Sequence, residues 1–179
     1  MAQLTHHTAV VLIPPEEVWA PIQAIRREHD RQFRRWMPHI TLLYPFLSRE
    51  AFREAAPALE RACAPIAPFR VALKEFRSFE HRGRRCTVWL APEPMAPWLK
   101  LHAALASAFP ESAAAPRLAF EPHLSVGQVG RGELQGLINR LQAGWKPLGF
   151  QAVAASLIWR HDAPDDVFRV ERSFPFATP

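Results

Sequence analysis

The chain is short of the residues that most simple functional readings need. Two cysteines, Cys63 and Cys86, stand among 179 residues. They make no redox or zinc spacing, and a lone pair is weak ground for a disulfide. Lysine is confined to Lys74, Lys100 and Lys146, so arginine carries most of the positive charge, and the net charge is only +5. Apolar runs are short and broken by Pro, Arg or Glu, which argues against a membrane-spanning helix. Residues 1 to 15 show neither a basic leader nor a small-residue cleavage site, so no secretory signal is expected. A reducing cytoplasm is the expected location. No glycine-rich phosphate loop is present.

What is there is a chain with 49% apolar residues, enough to build a real core. One domain, or two closely joined lobes, fits that length. Arginine clusters at IRREHDRQFRRW (25–36) and HRGRRC (81–86). The planar guanidinium fork suits phosphate, yet a solvated arginine-rich surface reads the same way. Charge therefore permits an anionic partner without requiring one.

Periodicity divides the chain into elements. HTAVVLI (7–13) predicts a strand, and 16–30 a helix with Val18, Ile22 and Ile25 on one face. HITLLYPF predicts a strand on which Tyr44, by parity with Ile40 and Leu42, packs inward. Ser48 is expected to cap a helix carrying Phe52, Ala56, Leu59 and Cys63. Strands over 69–79 and 84–90 turn through Gly83, and a helix follows over 96–109. After the Ala- and Pro-rich stretch 110–120 come a strand over 123–129, a helix ending at Gly144, and strands at about 148–160 and 167–174.

These elements repeat. His39 maps on His123 at a shift of 84, the following helices start near 48 and 131, and the strand pairs recur at a similar offset. A constant shift implies an internal duplication, with repeat units about 39–90 and 123–174 in one bilobal domain over 1–179. Alternation on a strand turns His39 and Thr41 one way and Ile40 and Leu42 the other. His123 and Ser125 separate from Leu124 and Val126 likewise. A single histidine in an apolar strand reads most simply as a core residue. Two at equivalent positions of a duplicated chain, facing one groove, do not. Paired imidazoles suit general base and general acid on opposite sides of one phosphorus. Thr41 and Ser125 suit its non-bridging oxygens. Two histidines without a third ligand make a poor zinc site, so no metal or other cofactor is expected.

The paired HITL and HLSV resemble the 2H phosphoesterase superfamily, named for its two His-x-Ser/Thr-apolar motifs. Within it they are most like the bacterial and archaeal 2′-5′ RNA ligase-like proteins, also described as RNA 2′,3′-cyclic phosphodiesterases. The resemblance implies an α+β fold of two antiparallel sheets backed by helices around a central groove. It makes His39 and His123 catalytic and Thr41 and Ser125 phosphate-binding. It implies metal-independent hydrolysis of a 2′,3′-cyclic phosphate on RNA ends or nucleotides, with 2′-5′ RNA ligation as a related activity. His123 as base and His39 as acid would leave a 2′-phosphate if the 3′-oxygen departs. Arg160 matches a basic position near the last strands, as a phosphate contact or as a surface arginine beside Asp162. Arg35 and Trp36 lead into the first motif strand, where Trp36 either stacks a base or anchors the core. A non-catalytic nucleotide- or RNA-binding module on the same fold is the competing reading. The modest basic excess favours a mononucleotide or short oligonucleotide over extended RNA, and a monomer without an obligate protein partner is expected.

Overall fold

A computed structural model describes residues 3–113 and 120–177. Most of the Ala- and Pro-rich stretch, 114–119, lies outside the described residues. The chain begins with β1 (Leu4–Thr5), β2 (Thr8–Leu12) and α1 (Trp19–His29), then β3 (Ile40–Leu43), β4 (Phe46–Leu47) and α2 (Phe52–Cys63). It continues through β5 (Phe69–His81), β6 (Arg85–Glu93), α3 (Met95–Ala108) and the short α4 (Pro110–Ala113). It ends with β7 (Leu124–Gly130), α5 (Leu134–Gly144), β8 (Leu148–Ala152), β9 (Ala154–Trp159) and β10 (Arg169–Pro175). The predicted helices are present, though α2 begins after a 3₁₀ turn over Arg49–Ala51 and the Ser48 hydroxyl does not cap it, and HITLLYPF holds two strands, β3 and β4.

Two four-stranded antiparallel sheets form, in the orders β10-β9-β2-β3 and β7-β6-β5-β8. β2 reads TAVVL and is buried throughout because both faces are covered, Val10 and Leu12 by the main core and Ala9 and Val11 by a second apolar cluster. The run 148–160, expected as one strand, is two. The chain leaves the second sheet after β8 and enters the first at β9, with Val153 between them 55% exposed. Sheet membership also cuts across the units 39–90 and 123–174. β5 and β6 follow the first motif in sequence but build the sheet that holds the second.

The internal symmetry appears in the registers. Thr41 lies opposite Val11 and Ile40 opposite Leu12; Ser125 lies opposite Trp89 and Leu124 opposite Leu90. The ladders slip once each, between Val10 and Val11 and between Val88 and Trp89. Each slip leaves one extra residue on the motif strand, Leu42 in β3 and Val126 in β7. These bulged residues have the same spacing as the histidines. A bulge beside a site re-aims the neighbouring side chains, and here both motif strands carry one.

Helices interlock the halves. α1, which joins β2 to β3, packs on β7, and α3, which joins β6 to β7, packs on β3. Ile40, Leu42, Leu124 and Val126 consequently belong to one continuous core with Ile22, Trp98, Leu101 and Leu137. No helix among the described residues is long and apolar enough to cross a membrane.

The α1–β7 contact is so close that it dictates a residue. A Cβ on Gly127 would stand 2.6 Å from His29 Cβ and 3.0 Å from the His29 carbonyl oxygen, which cannot swing away. Gly127→Ala is expected to destabilise the fold by about 1–3 kcal/mol through overpacking, read as a lowered midpoint in chemical unfolding.

Candidate active site

His39 and His123 stand just before β3 and β7, each partly buried, each preceded by a proline. Their surroundings repeat. His39 Nδ1 lies 2.8 Å from the Met37 carbonyl oxygen, and His123 Nδ1 lies 2.8 Å from that of Glu121. A carbonyl can only accept, so both Nδ1 atoms carry the hydrogen and each neutral ring keeps its lone pair on Nε2. The tautomer needed for proton transfer is thus set by backbone alone.

The surroundings disfavour the charged form of both rings. Burial pushes His39 down to about 4, aided by the Arg26 and His123 charges and opposed by the Met37 carbonyl and Asp30. Burial also lowers His123, against the Glu121 carbonyl and carboxylate. Thr41 and Ser125 share the histidine faces and are partly buried, while Ile40, Leu42, Leu124 and Val126 are buried on the opposite side. β3 and β7 also approach each other. Two imidazoles and two hydroxyls are therefore brought to one groove between the sheets.

The two walls of that groove differ. On the first sheet, Ala9, Val11, Ile158 and Phe168 form a small apolar cluster roofed by Trp36 and Met37. Trp36 stacks on His39 at 4.5 Å and on Phe168 at 3.7 Å between ring centroids. Tyr44, expected in the core, is 38% exposed and meets Trp36 edge-on. The bulge at Leu42 reverses the parity beyond it, so Leu43 goes inward and Tyr44 outward. Arg35 donates to the Pro164 carbonyl at 2.7 Å, and Arg160 to the His161 carbonyl at 2.8 Å. Arg160 Nε is buried without an acceptor among the described residues. Both guanidinium charges act on the Tyr44 hydroxyl, opposing the rise that burial causes. Around His123, Phe79 and Trp89 meet the imidazole edge-on, at 5.0 and 5.9 Å.

A buried ion pair crosses beneath the groove. Arg26, 1% exposed, donates from Nε to Asp30 at 2.8 Å, from Nη1 to Gln23 at 3.0 Å, and from Nη2 to the Trp36 carbonyl at 2.9 Å. Asp30 Oδ1 accepts from the Gln32 amide at 2.9 Å and from Gln128 Nε2 at 3.2 Å. Gln128, on β7, accepts in turn from the Arg31 amide at 3.0 Å. The segment leading to His39 is thereby tied to the strand that carries Ser125. In sequence the 25–36 arginine cluster points only to a phosphate surface or a solvated one. The signal that marks this pair is Arg26 four residues after Ile22 on the inward stripe, with an acidic residue four further on.

A two-lobed α+β chain whose edge strands each bring a histidine and a hydroxyl to one groove has the architecture of a 2H phosphoesterase. Comparison with known proteins agrees. The chain belongs to the 2′-5′ RNA ligase superfamily, whose family model matches residues 14–164. It is 29% identical over 120 residues to "Putative phosphoesterase GK0864" of Geobacillus kaustophilus, covering 66% of this chain and 67% of that one. Its fold is similar to the crystal structure of TT0787 of Thermus thermophilus, with a TM-score of 0.66 at 21% identity over 94% of this chain and 97% of that one. It is also similar to E. coli LigT complexed with 3′-AMP, with a TM-score of 0.64 at 16% identity over 98% and 100%.

Removing one partner of the ion pair strands a buried charge. Asp30→Ala is expected to cost about 3–5 kcal/mol in urea unfolding. The double replacement Arg26→Met with Asp30→Leu should recover most of that loss.

Proposed function

We propose that this chain hydrolyses a 2′,3′-cyclic phosphate on a nucleotide or RNA end by two-histidine acid–base catalysis without a metal. The observation that carries this reading is the matched pair of imidazoles, each with Nδ1–H held by a carbonyl two residues upstream and Nε2 left for proton transfer. One Nε2 takes a proton from water as its oxygen bonds to phosphorus. The other gives its proton to the ribose oxygen as that P–O bond breaks. A phosphomonoester and a free hydroxyl result, and solvent restores the starting protonation. Thr41 and Ser125 hydrogen-bond the non-bridging oxygens, where charge grows in the transition state. LigT, of similar fold, has been crystallised with 3′-AMP, which supports a nucleotide as ligand. Ligation of 2′-5′ links is the same chemistry reversed, with a ribose hydroxyl in place of water.

Neither role needs a third metal-ligating side chain, and among the described residues no three His, Cys, Asp or Glu are grouped to hold an ion. Phosphorus NMR of a 2′,3′-cyclic nucleotide with the protein in chelator tests the reading. His39→Ala and His123→Ala are each expected to slow turnover by about 10²–10⁴. With His123 as base and His39 as acid, loss of the 3′-oxygen gives a 2′-phosphate; a 3′-phosphate would reverse the leaving group. Loss of activity in chelator, restored by one added metal, would overturn the metal-free mechanism. Nucleotide binding without turnover would instead favour the non-catalytic module.

The lowered histidine pKa values predict the pH profile. A base must be neutral and an acid protonated, and kcat/KM reports the free protein. With His39 at about 4 and His123 also below its ordinary value, kcat/KM should peak on the acid side and already be falling as pH rises through the ordinary histidine range. The phosphate's negative charge raises both imidazoles in the complex, so the kcat optimum should lie at higher pH. Profiles flat from pH 5 to 9 would count against the paired histidines.

A further inference from the structure

The groove's unequal walls suggest where the rest of a substrate goes. Trp36, Met37 and Phe168 cover the first sheet's wall, whereas a pocket of about 280 Å³ opens on the second sheet beside His123. Its position follows from register. Arg77 lies opposite Trp89, and Trp89 opposite Ser125, in one row across β5, β6 and β7. Directly opposed residues share a face, so Trp89 lies next to Ser125 and Arg77 one strand further along the same row. Trp89 is 2% exposed, and its indole N–H has no acceptor among the described residues. A buried donor left unpaired is costly, and this one belongs to a residue lining a cavity. Pro94, Met95 and Pro122 supply apolar walls, and the Glu121 side chain supplies an acceptor at the rim.

We propose that this pocket is a nucleobase subsite, holding the base of the nucleotide whose phosphate lies between His39 and His123. A flat heterocycle with both acceptor and donor edges matches the chemistry: its acceptor takes the Trp89 N–H, and its donors face Glu121. A sugar phosphate alone offers no apolar plane for Pro94 and Met95, and a lipid chain would leave the indole donor unpaired. This assignment rests on reading the groove as a phosphoester site.

The test has two readouts that fail independently. In nitrogen–proton NMR, the Trp89 indole resonance, identified by its loss in Trp89→Phe, should move when millimolar nucleosides are added. Ribose 5-phosphate should leave it in place. In kinetics, Trp89→Phe should lower the preference for a cyclic nucleotide over ribose 2′,3′-cyclic phosphate by about five- to tenfold, the worth of one hydrogen bond. Should Trp89→Phe not fold, Met95→Trp at the exposed rim fills the pocket from outside, and it should abolish the indole response to nucleosides. An indole resonance unmoved by every nucleoside, or a substrate preference unchanged in the folded variant, overturns the subsite. A nucleoside response in a protein that opens no cyclic phosphate keeps the subsite and overturns the hydrolase reading.

Discussion

The groove depends on one buried ion pair. Arg26 and Asp30 sit a helical turn apart at the end of α1, and their remaining hydrogen bonds reach toward both motif strands. Such a pair is not a net source of stability, because two desolvated charges recover little more than they lose. What it provides is direction. Apolar contacts between α1 and β7 tolerate sliding, but Arg26 must meet the Trp36 carbonyl while Asp30 meets Gln128. Only one placement of the two edges satisfies both. Gly127 allows that placement by letting His29 come down onto the strand.

Upon this seam the two histidines are arranged with little side-chain support. Backbone carbonyls set their tautomers, and desolvation sets their charge. The two imidazoles are not equivalent, despite the symmetry of their anchors. His39 lies under an indole that closes its side of the groove, while His123 is met by ring edges and follows Pro122, which lines an open pocket. A duplicated fold has thus acquired an asymmetric site through loops rather than strands: the segment 31–37 and the turn before β10 roof one wall and leave the other open.

Much of this is legible in the residues. Alternation alone separates His39 and Thr41 from Ile40 and Leu42, and the constant spacing implies a duplication. The helices over 16–30, 96–109 and 134–144 are plain from apolar spacing. What cannot be read are features that require pairing partners. The passage from β8 to β9 leaves no break in the apolar pattern of 148–160, because both segments are strands and only their neighbours change. Tyr44 defeats a parity argument because a bulge reverses parity without any glycine to announce it. The row Arg77–Trp89–Ser125 emerges only from cross-strand register, and Arg26 differs from its neighbours in an arginine-rich run only by its place on the inward stripe. The candidate catalytic residues stand out because their chemistry demands particular side chains at a repeated spacing; the walls do not, because many side chains can build a wall.

The order in which strands enter the sheets bears on how the protein is made. β2 is central in the first sheet, yet its neighbour β9 and the edge strand β10 beyond it are among the last segments to be synthesised. During translation, β2 and β3 make an unfinished strand pair with an apolar open edge, while β5, β6 and β7 can already assemble beside it. Exposed strand edges of this kind invite pairing with other chains, and contacts so distant in sequence form slowly. The nascent chain is therefore most vulnerable to aggregation just before its C-terminal strands leave the ribosome. Truncation after β8 would keep both motif strands but would remove Arg160 and Phe168 from the first wall and leave the first sheet open.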